Sequence, residues 1–374
     1  MCRAVEQSTA LFFGCQTVQK TGKISFHGRL RLNSSVAYIL YARNSFSMTT
    51  LQTKGDYQKR ILANVDNCLT ETDLGKGEKY RGKVRDRYDL GDCLALVTTD
   101  RQSAFDRVLA AIPFKGQALN LTSRWWFENT SDIVANHVLD VPDPNVTMAK
   151  KCEVFPIEFV VRGYMTGSSG TSLWTVYNKG DREYCGHPLP EGMIKNQPLD
   201  QIMLTPTTKE AHDRPISEEG ILNEGWMTEE DWSRASAVAM ELFSHGQQVA
   251  REHGLILVDT KYEMGKDAEG NLTLVDEIHT PDSSRYWIAD SYEELHAAGQ
   301  EPENVDKEFL RLWFSERCDP YKDEELPEAP VDLVTELSRR YLLLYEMITG
   351  EAFPFPSDDE PVGDRIARNL SSYL

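Results

Sequence analysis

The run VFPIEFVVRGYMTGSSG, residues 154–170, is apolar enough to form a buried strand, yet it carries one carboxylate, Glu158, and one guanidinium, Arg162, before breaking into glycines and hydroxyls. An unpaired charge is costly to bury, so these two must be paired, solvated at a sheet edge, or turned toward a ligand. The residues that follow favour a ligand. Gly167 and Gly170 allow close backbone approach, and Ser168, Ser169 and Thr171 add hydroxyls to N–H donors of the kind that hold an anion. The plainer alternative is an edge ion pair between Glu158 and Arg162 followed by a flexible loop.

A second run, LVDTKYEMG at residues 257–265, places acid, base and acid at every other position. On a strand, Asp259, Lys261 and Glu263 then project from one face and Thr260 and Tyr262 from the other. LTLVDEIH follows after GKDAEGN, which supplies turn residues, so the two runs predict a hairpin. In a register that pairs residues whose numbers sum to an odd value, such as 259 with 276, Asp276 joins the charged face. Carboxylates this close repel and raise one another's pKa unless a cation sits among them. Such a cluster suits Mg²⁺, which usually takes one or two carboxylates together with substrate phosphates. The alternative is a solvated hairpin face with an intrastrand salt bridge.

Four further stretches carry chemistry without deciding it alone. KYRGKVRDRYDL, residues 79–90, has one glycine among basic residues at a hairpin corner, with Lys83 and Arg85 two apart on a strand and so pointing the same way; neither common phosphate-loop fingerprint is present. TTDRQSAFDR puts Asp100, Arg101, Ser103 and Asp106 in a turn after a buried strand. LTPTTKEAHDRPIS holds Lys209 in a Pro/Thr loop where packing does not require a lysine, and DEIHTPDSSRYW sets Ser283, Ser284 and Arg285 after the second acidic strand. Together they fit a site for a sugar phosphate, a metal and a nucleotide.

Around these motifs the chain reads as α+β with at least two lobes. Strands are expected on both sides of the D-L-G-D turn at 89–92, over KCEVFPIEFVVRGYM and in the later hairpin. Helices are expected over YQKRILANVDNCL, ALNLTSRWWFENTSDI and VDLVTELSRRYLLLYEMITG, and from Thr228, an N-cap with Asp231 three residues on, to Gly254. Residues 178–215 are rich in proline and read as loop, and the chain closes on a polar, acidic tail. There are no internal repeats.

At 374 residues with 40% hydrophobic and 26% charged side chains, the composition is that of a soluble globular protein. A net charge of −19 argues against a general nucleic-acid binder, although a local basic pocket for a small anion is compatible with it. The seven cysteines are scattered and form no C-x-x-C pair, and no stretch approaches the roughly 18 apolar residues of a membrane helix. The charge is uneven. Residues 1–55 hold seven Lys or Arg against Glu6, a net +6, while the remainder has 33 basic and 58 acidic side chains. An Arg- and Ser-rich, acid-poor leader with Met48 near its end fits an organelle transit peptide, plastid before mitochondrion. The alternatives are a disordered extension, or Met48 as the true start of a cytoplasmic protein.

The segments PIEFVVRGYMTGSSG and LVDTKYEMG resemble the two signatures of the phosphoribosylaminoimidazole-succinocarboxamide synthase (SAICAR synthetase) family. RGKVRD, TTDRQSAFD, LTPTTK and DEIHTPDSSR are similar to its other landmarks in the same order, so the likeness runs from about residue 57 to about 356. Met264 stands where Phe or Ile is usual. The resemblance implies an ATP-dependent ligase that joins L-aspartate to the carboxylate of carboxyaminoimidazole ribonucleotide (CAIR) and releases ADP and phosphate. It implies a small antiparallel N-terminal lobe over 56–155, an ATP-grasp-like lobe over 156–356 and a polar tail over 357–374, with the nucleotide between lobes.

The resemblance also implies roles for single residues. Arg162, Ser168 and Arg285 would grip the ribonucleotide's 5′-phosphate, and Glu158 would face its aminoimidazole end. Glu263 and Asp276 would hold Mg²⁺, Asp259 and Lys261 would orient the imidazole carboxylate, and Lys209 would offset phosphate charge. Gly82, Lys83, Val84 and Arg85 would receive ATP. Ser103, in the TTDRQSAFD turn, is the candidate for binding aspartate. A small-molecule kinase and a catalytically silent nucleotide-binding protein are the competing readings; the first would transfer phosphate to a hydroxyl, and the second should lack a metal carboxylate or a phosphate-loop lysine.

Overall fold

The computed structural model describes residues 57–105, 107–210, 213–305, 307–357 and 360–374. The chain divides into two units, Met1–Thr49 and Thr50–Leu374, and every described residue belongs to the second. The transit-peptide reading of residues 1–50 and the Asp106 position of the TTDRQSAFDR turn lie outside the described residues.

After helix α1 (Gln58–Ala63), strands β1 (Glu78–Arg81), β2 (Arg85–Asp89) and β3 (Leu94–Thr98) run antiparallel. The hairpin β4 (Arg101–Ala104) and β5 (Arg107–Ala111), helix α2 (Lys115–Asn129) and the hairpin β6 (Val138–Asp143) and β7 (Val146–Ala149) follow. Five of these strands form one sheet in the order β1-β2-β3-β7-β6. In β2 the alternation is plain, with Asp86 and Tyr88 buried between more exposed neighbours. All four residues of β1 are exposed, so no apolar pattern announced it; backbone pairing with β2 makes it a strand.

Next come β8 (Glu153–Val154), β9 (Ile157–Tyr164), helix α3 (Leu173–Asn178), β10 (Glu183–Tyr184), β11 (His187–Pro188), β12 (Pro198–Leu204), β13 (Thr207–Thr208) and β14 (Arg214–Pro215). The stretch read as loop thus contains short strands. Helices α4 (Glu218–Asn223) and α5 (Glu229–Glu252) lead into β15 (Leu255–Lys266), β16 (Leu272–Val275) and β17 (Ser284–Ile288). Helices α6 (Ala289–Ala297), α7 (Glu308–Ser315), α8 (Val331–Thr349) and α9 (Val362–Asn369) complete the chain. The capping box at α5 is formed, with Thr228 Oγ1 accepting from the Asp231 N–H at 3.1 Å. Strands β8, β9 and β12–β17 make an eight-stranded sheet centred on the antiparallel pair β9 and β15. Burial along β9 alternates strictly, and its inner face packs on α5, where Phe159 stacks on Trp232 with ring centroids 5.7 Å apart.

Two expectations need correction, and one long-range packing was not foreseen. The single strand over KCEVFPIEFVVRGYM is divided into β8 and β9 around Pro156, which cannot donate a ladder hydrogen bond. Residues 357–374 are not a free polar tail. Ile366 and Leu370 of the α9 segment lie in the core of the five-stranded sheet with Leu69, Tyr88, Val97 and Met148, and Arg365 pairs with buried Asp143 at 2.9 Å. An apolar stripe of Val362, Ile366 and Leu370, with Tyr373 and Leu374 beyond it, carries that docking, and the surrounding charges hid it. Finally, α8 returns to the N-terminal region, where the Ser338 hydroxyl donates to the Pro113 carbonyl at 2.7 Å and Tyr57 donates to Glu346 at 2.7 Å.

Candidate active site

The central pair β9 and β15 puts its charged residues on one face. Asp259 lies opposite Arg162 in the antiparallel register, and on its other side β17 sets Arg285 opposite it as well. Arg285 Nη1 donates to Asp259 Oδ2 at 2.6 Å, Arg162 Nη1 lies 3.4 Å from the same oxygen, and Arg162 Nε donates to Thr205 Oγ1 at 2.9 Å. Glu158 does not pair with Arg162, so the edge ion pair is not what the structure contains. Its carboxylate accepts from Lys261 Nζ at 2.6 Å and from Thr207 Oγ1 at 3.3 Å. Lys261 also bonds Glu263 at 2.8 Å, and Lys209, just past β13, donates to the other oxygen of Glu263. Burial pushes the Lys261 pKa down, but Glu263 and Glu158 outweigh it and hold the ammonium above the ordinary lysine range.

The hairpin register differs from the expected one. Glu263 pairs with Val275, an even sum, which sets Asp276 level with Tyr262 rather than with the charged residues. Strand alternation does not govern Asp276, because β16 ends at Val275 and Asp276 takes a left-handed φ of 66°. Its carboxylate accepts from Arg85 Nη1, while Arg85 Nη2 lies 3.4 Å from Glu277. Burial raises the Asp276 pKa, but Arg85 and Lys261 prevail and hold it below the ordinary carboxylate value; the neighbouring Glu277 is raised, chiefly by burial. Arg85 therefore ties β2 to the carboxylates beside Lys261.

Lys83 and Arg85 do not project side by side, because Lys83 lies in the turn rather than on the strand. The Gly82 N–H donates to the Arg85 carbonyl at 3.0 Å, and a Cβ on Gly82 would lie 2.4 Å from that oxygen, so only glycine closes this turn. Arg101 holds it from below. The guanidinium donates to the carbonyls of Thr70, Gly82 and Lys83 and to Asp86 at 2.5 Å. Val84 contributes its carbonyl to the Thr99 N–H at 3.0 Å.

Ser168 is exposed in the loop after β9. Ser103 is half-buried on β4, and no hydrogen bond joins its side chain to either charged group among the described residues. Asp100, expected beside it as a turn residue, is buried and structural: it accepts from the N–H groups of Leu69 at 2.7 Å and Gly116 at 2.8 Å, and burial pushes its pKa up to about 6. Sequence reasoning missed a third group. Asp282, next to the Ser283–Ser284–Arg285 run, binds buried Lys115 at 2.7 Å, Lys307 at 3.3 Å and the Tyr341 hydroxyl at 2.5 Å. Burial raises the Asp282 pKa, but the two lysines outweigh it and keep the carboxyl ionised. The only available signal was the lysine at the start of a helix, and nothing local marks its partner.

Among the described residues no three His, Cys, Asp or Glu side chains cluster closely enough to hold a metal by themselves. Glu263 and Asp276, each now faced by cations, are a two-carboxylate donor set. Mg²⁺ usually takes one or two carboxylates together with phosphate oxygens and water, so these two residues are the ones that could hold it.

The site is thus a charged strand pair whose cations have the chemistry to receive an anionic ligand. A family model described as SAICAR synthetase matches residues 78–327. The chain is 66% identical over 308 residues to the phosphoribosylaminoimidazole-succinocarboxamide synthase of Legionella pneumophila (strain Paris), covering 82% of this chain and 99% of that one. It is 59% identical over 333 residues to the enzyme of that name, called chloroplastic, from Arabidopsis thaliana, covering 87% and 81%. Among solved structures, the SAICAR synthase of Saccharomyces cerevisiae complexed with SAICAR superposes with a TM-score of 0.66 at 32% identity, covering 77% of this chain and all of that one. The chain belongs to the SAICAR synthetase family. It is an ATP-dependent carbon–nitrogen ligase of purine biosynthesis, with the mixed helix and antiparallel sheet fold of that family.

Proposed function

We propose that CAIR lies along the β9 and β15 face, with its phosphate at Arg162, Arg285 and Ser168 and its imidazole carboxylate toward Lys261 and Glu263. The segregation of charge along β15 carries this reading. Arginines gather around Asp259 and lysines around Glu263, four residues or about 13 Å further along the strand. That span runs beneath a ribonucleotide laid lengthwise. The yeast relative's complex with SAICAR supports a ribonucleotide at this fold's site.

A carboxylate is a poor electrophile, so the proposed reaction has two steps. A CAIR carboxylate oxygen attacks the γ-phosphorus of ATP, and ADP leaves with the bridging electron pair. The aspartate amine then attacks the acyl phosphate carbonyl, phosphate leaves with that oxygen, the amine proton is lost, and the succinyl amide remains. Gly82, Lys83 and Val84 form the turn proposed to receive ATP, with Arg85 fixing it against Asp276. Lys209 and Lys261 offset the negative charge that gathers at transfer. Mg²⁺, held by Glu263 and Asp276, would supply charge neutralisation across the phosphates and the carboxylate. Asp259 orients both arginines, and Glu158 holds Lys261. Closure of an ATP-grasp-like lobe would exclude water from the acyl phosphate. Ser103 stays a candidate aspartate contact.

The decisive assay follows ADP release by the purified protein with CAIR and Mg-ATP while aspartate alone is varied. ADP release that depends on aspartate, with a succinyl amide as product, is expected; ADP release independent of aspartate with a phosphorylated hydroxyl would establish a kinase instead. The basic N-terminal segment and the chloroplastic relative support plastid targeting. A reporter carrying residues 1–55 should enter plastids, and uniform cytosolic fluorescence would remove that part.

A further inference from the structure

We propose that Asn196 is a positioning residue for the Gly-Ser loop of residues 166–170 and, through it, for the phosphate end of the ribonucleotide. The inference rests on the reading of that loop as a phosphate holder. Asn196 is 3% exposed and takes a left-handed φ of 65°, a conformation asparagine tolerates better than most residues. Each of its polar atoms has a partner. Its side-chain oxygen accepts from Thr166 Oγ1 at 2.6 Å, and its Nδ2 donates to Glu301 Oε2 at 3.0 Å. Its N–H donates to the Met165 carbonyl at 2.7 Å, and its own carbonyl accepts from the Tyr292 hydroxyl at 2.8 Å. The side chain thereby joins the segment after β9 to the Glu301 loop, and the backbone carbonyl adds helix α6.

Thr166 is the first residue of the loop. Gly167 has a φ of 109°, and a Cβ there would lie 2.4 Å from Ser172 Cβ, so the chain folds back tightly. Within the fold-back, Ser172 Oγ donates to the Ser169 carbonyl at 2.8 Å and the Trp174 N–H to the Thr166 carbonyl at 3.2 Å. The far end is tied by Tyr184, whose hydroxyl donates to the Thr171 carbonyl at 2.5 Å. The near end is tied by the Thr166–Asn196 hydrogen bond. Arg162 lies four residues upstream, on β9, so the Thr166 anchor sets where the loop begins relative to that guanidinium. A loop already ordered does not have to be ordered by binding energy. Loss of the anchor should therefore weaken the ribonucleotide selectively.

The test uses Thr166→Val, which removes the donor at nearly constant shape, and Asn196→Gly, which keeps the left-handed backbone and removes the side chain. Either variant should raise the KM for CAIR about tenfold, with kcat and the KM values for ATP and aspartate within about twofold. The double variant should be little worse than the single ones, because both cut the same bond. If Asn196→Gly fails to fold, Thr166→Val alone decides. Unchanged KM values, or equal rises in all three with a lowered Tm, would overturn the proposal. Arg162→Lys measured alongside separates the two failures. A CAIR-selective loss in Arg162→Lys without one in the loop variants removes the role of Asn196 alone. No such loss in any variant removes the phosphate reading and this inference with it.

Discussion

Arg162 and Asp259 face each other in register across adjacent antiparallel strands, with Nη1 3.4 Å from Oδ2. Arg285 donates to that same oxygen at 2.6 Å, so the three groups together carry a net positive charge in a largely buried place. On the proposed reading, the ribonucleotide's phosphate would meet this positive group.

Arg162→Lys keeps the charge and loses the planar fork, and a charge-assisted hydrogen bond is worth about 1.5–3 kcal/mol. The KM for CAIR should rise roughly ten- to a hundredfold, since each ~1.4 kcal/mol is tenfold. The KM values for ATP and aspartate should move much less. A lower Tm with no selective effect on CAIR would mean that Arg162 only holds β9 to β15.

Glu263→Gln should nearly abolish turnover while leaving the fold intact. Its oxygens are held by Lys261 at 2.8 Å and by Lys209, side chains that reach solvent and can rehydrate. Circular dichroism and Tm should therefore change little. Normal activity of the variant at limiting Mg²⁺ would refute the metal assignment.

Arg365→Leu tests the docking of α9. Arg365 donates to both oxygens of Asp143, at 2.9 and 3.1 Å, and to Asn145 at 2.5 Å, with Asp143 fully buried. Removing one partner of such a pair costs about 3–5 kcal/mol. Arg368→Ala, which breaks an exposed pair with Glu360, should leave the denaturation midpoint nearly unchanged. Comparing the two denaturation midpoints checks this, and equal midpoints would mean that the Arg365–Asp143 pair does not hold α9 in place.

His279 is buried, and that burial, with His245 nearby, pushes its pKa down to about 3. Its Nε2 meets the Tyr262 hydroxyl at 2.5 Å. The unfolded chain binds a proton at this residue below about pH 6.5 and the native state does not, so stability should fall as pH drops from 6.5 toward 3. The loss is on the order of 5 kcal/mol at the low end. Asp100, raised by burial to about 6, works the other way between about pH 4 and 6. Denaturation midpoints against pH should therefore be flatter for His279→Gln than for the unchanged protein, and identical slopes would show that His279 does not titrate as described.

Much of the site was legible in short stretches. The shared face of Asp259, Lys261 and Glu263, the glycine at the β1–β2 corner and the Thr228 cap all follow from spacings of two to four residues, where strand alternation or helix capping fixes direction. The Lys83 direction was misjudged because the strand begins two residues later, at Arg85. The register expected for Asp276 was wrong, and a left-handed residue ends the alternation on which that register argument depends.

The amino-acid sequence by itself determined which segments could be strands, where charge interrupts them, and which ordered set of motifs marks the family. Only the tertiary structure decided the partners: Arg85 with Asp276 across 191 residues, Lys115 with Asp282 across 167, Arg365 with Asp143 across 222, Thr166 with Asn196 across 30. Backbone periodicity is a local property that neighbouring side chains reveal. The energy of a buried charge or amide depends instead on which distant group is brought against it, and that is set only when the sheets close and water is excluded.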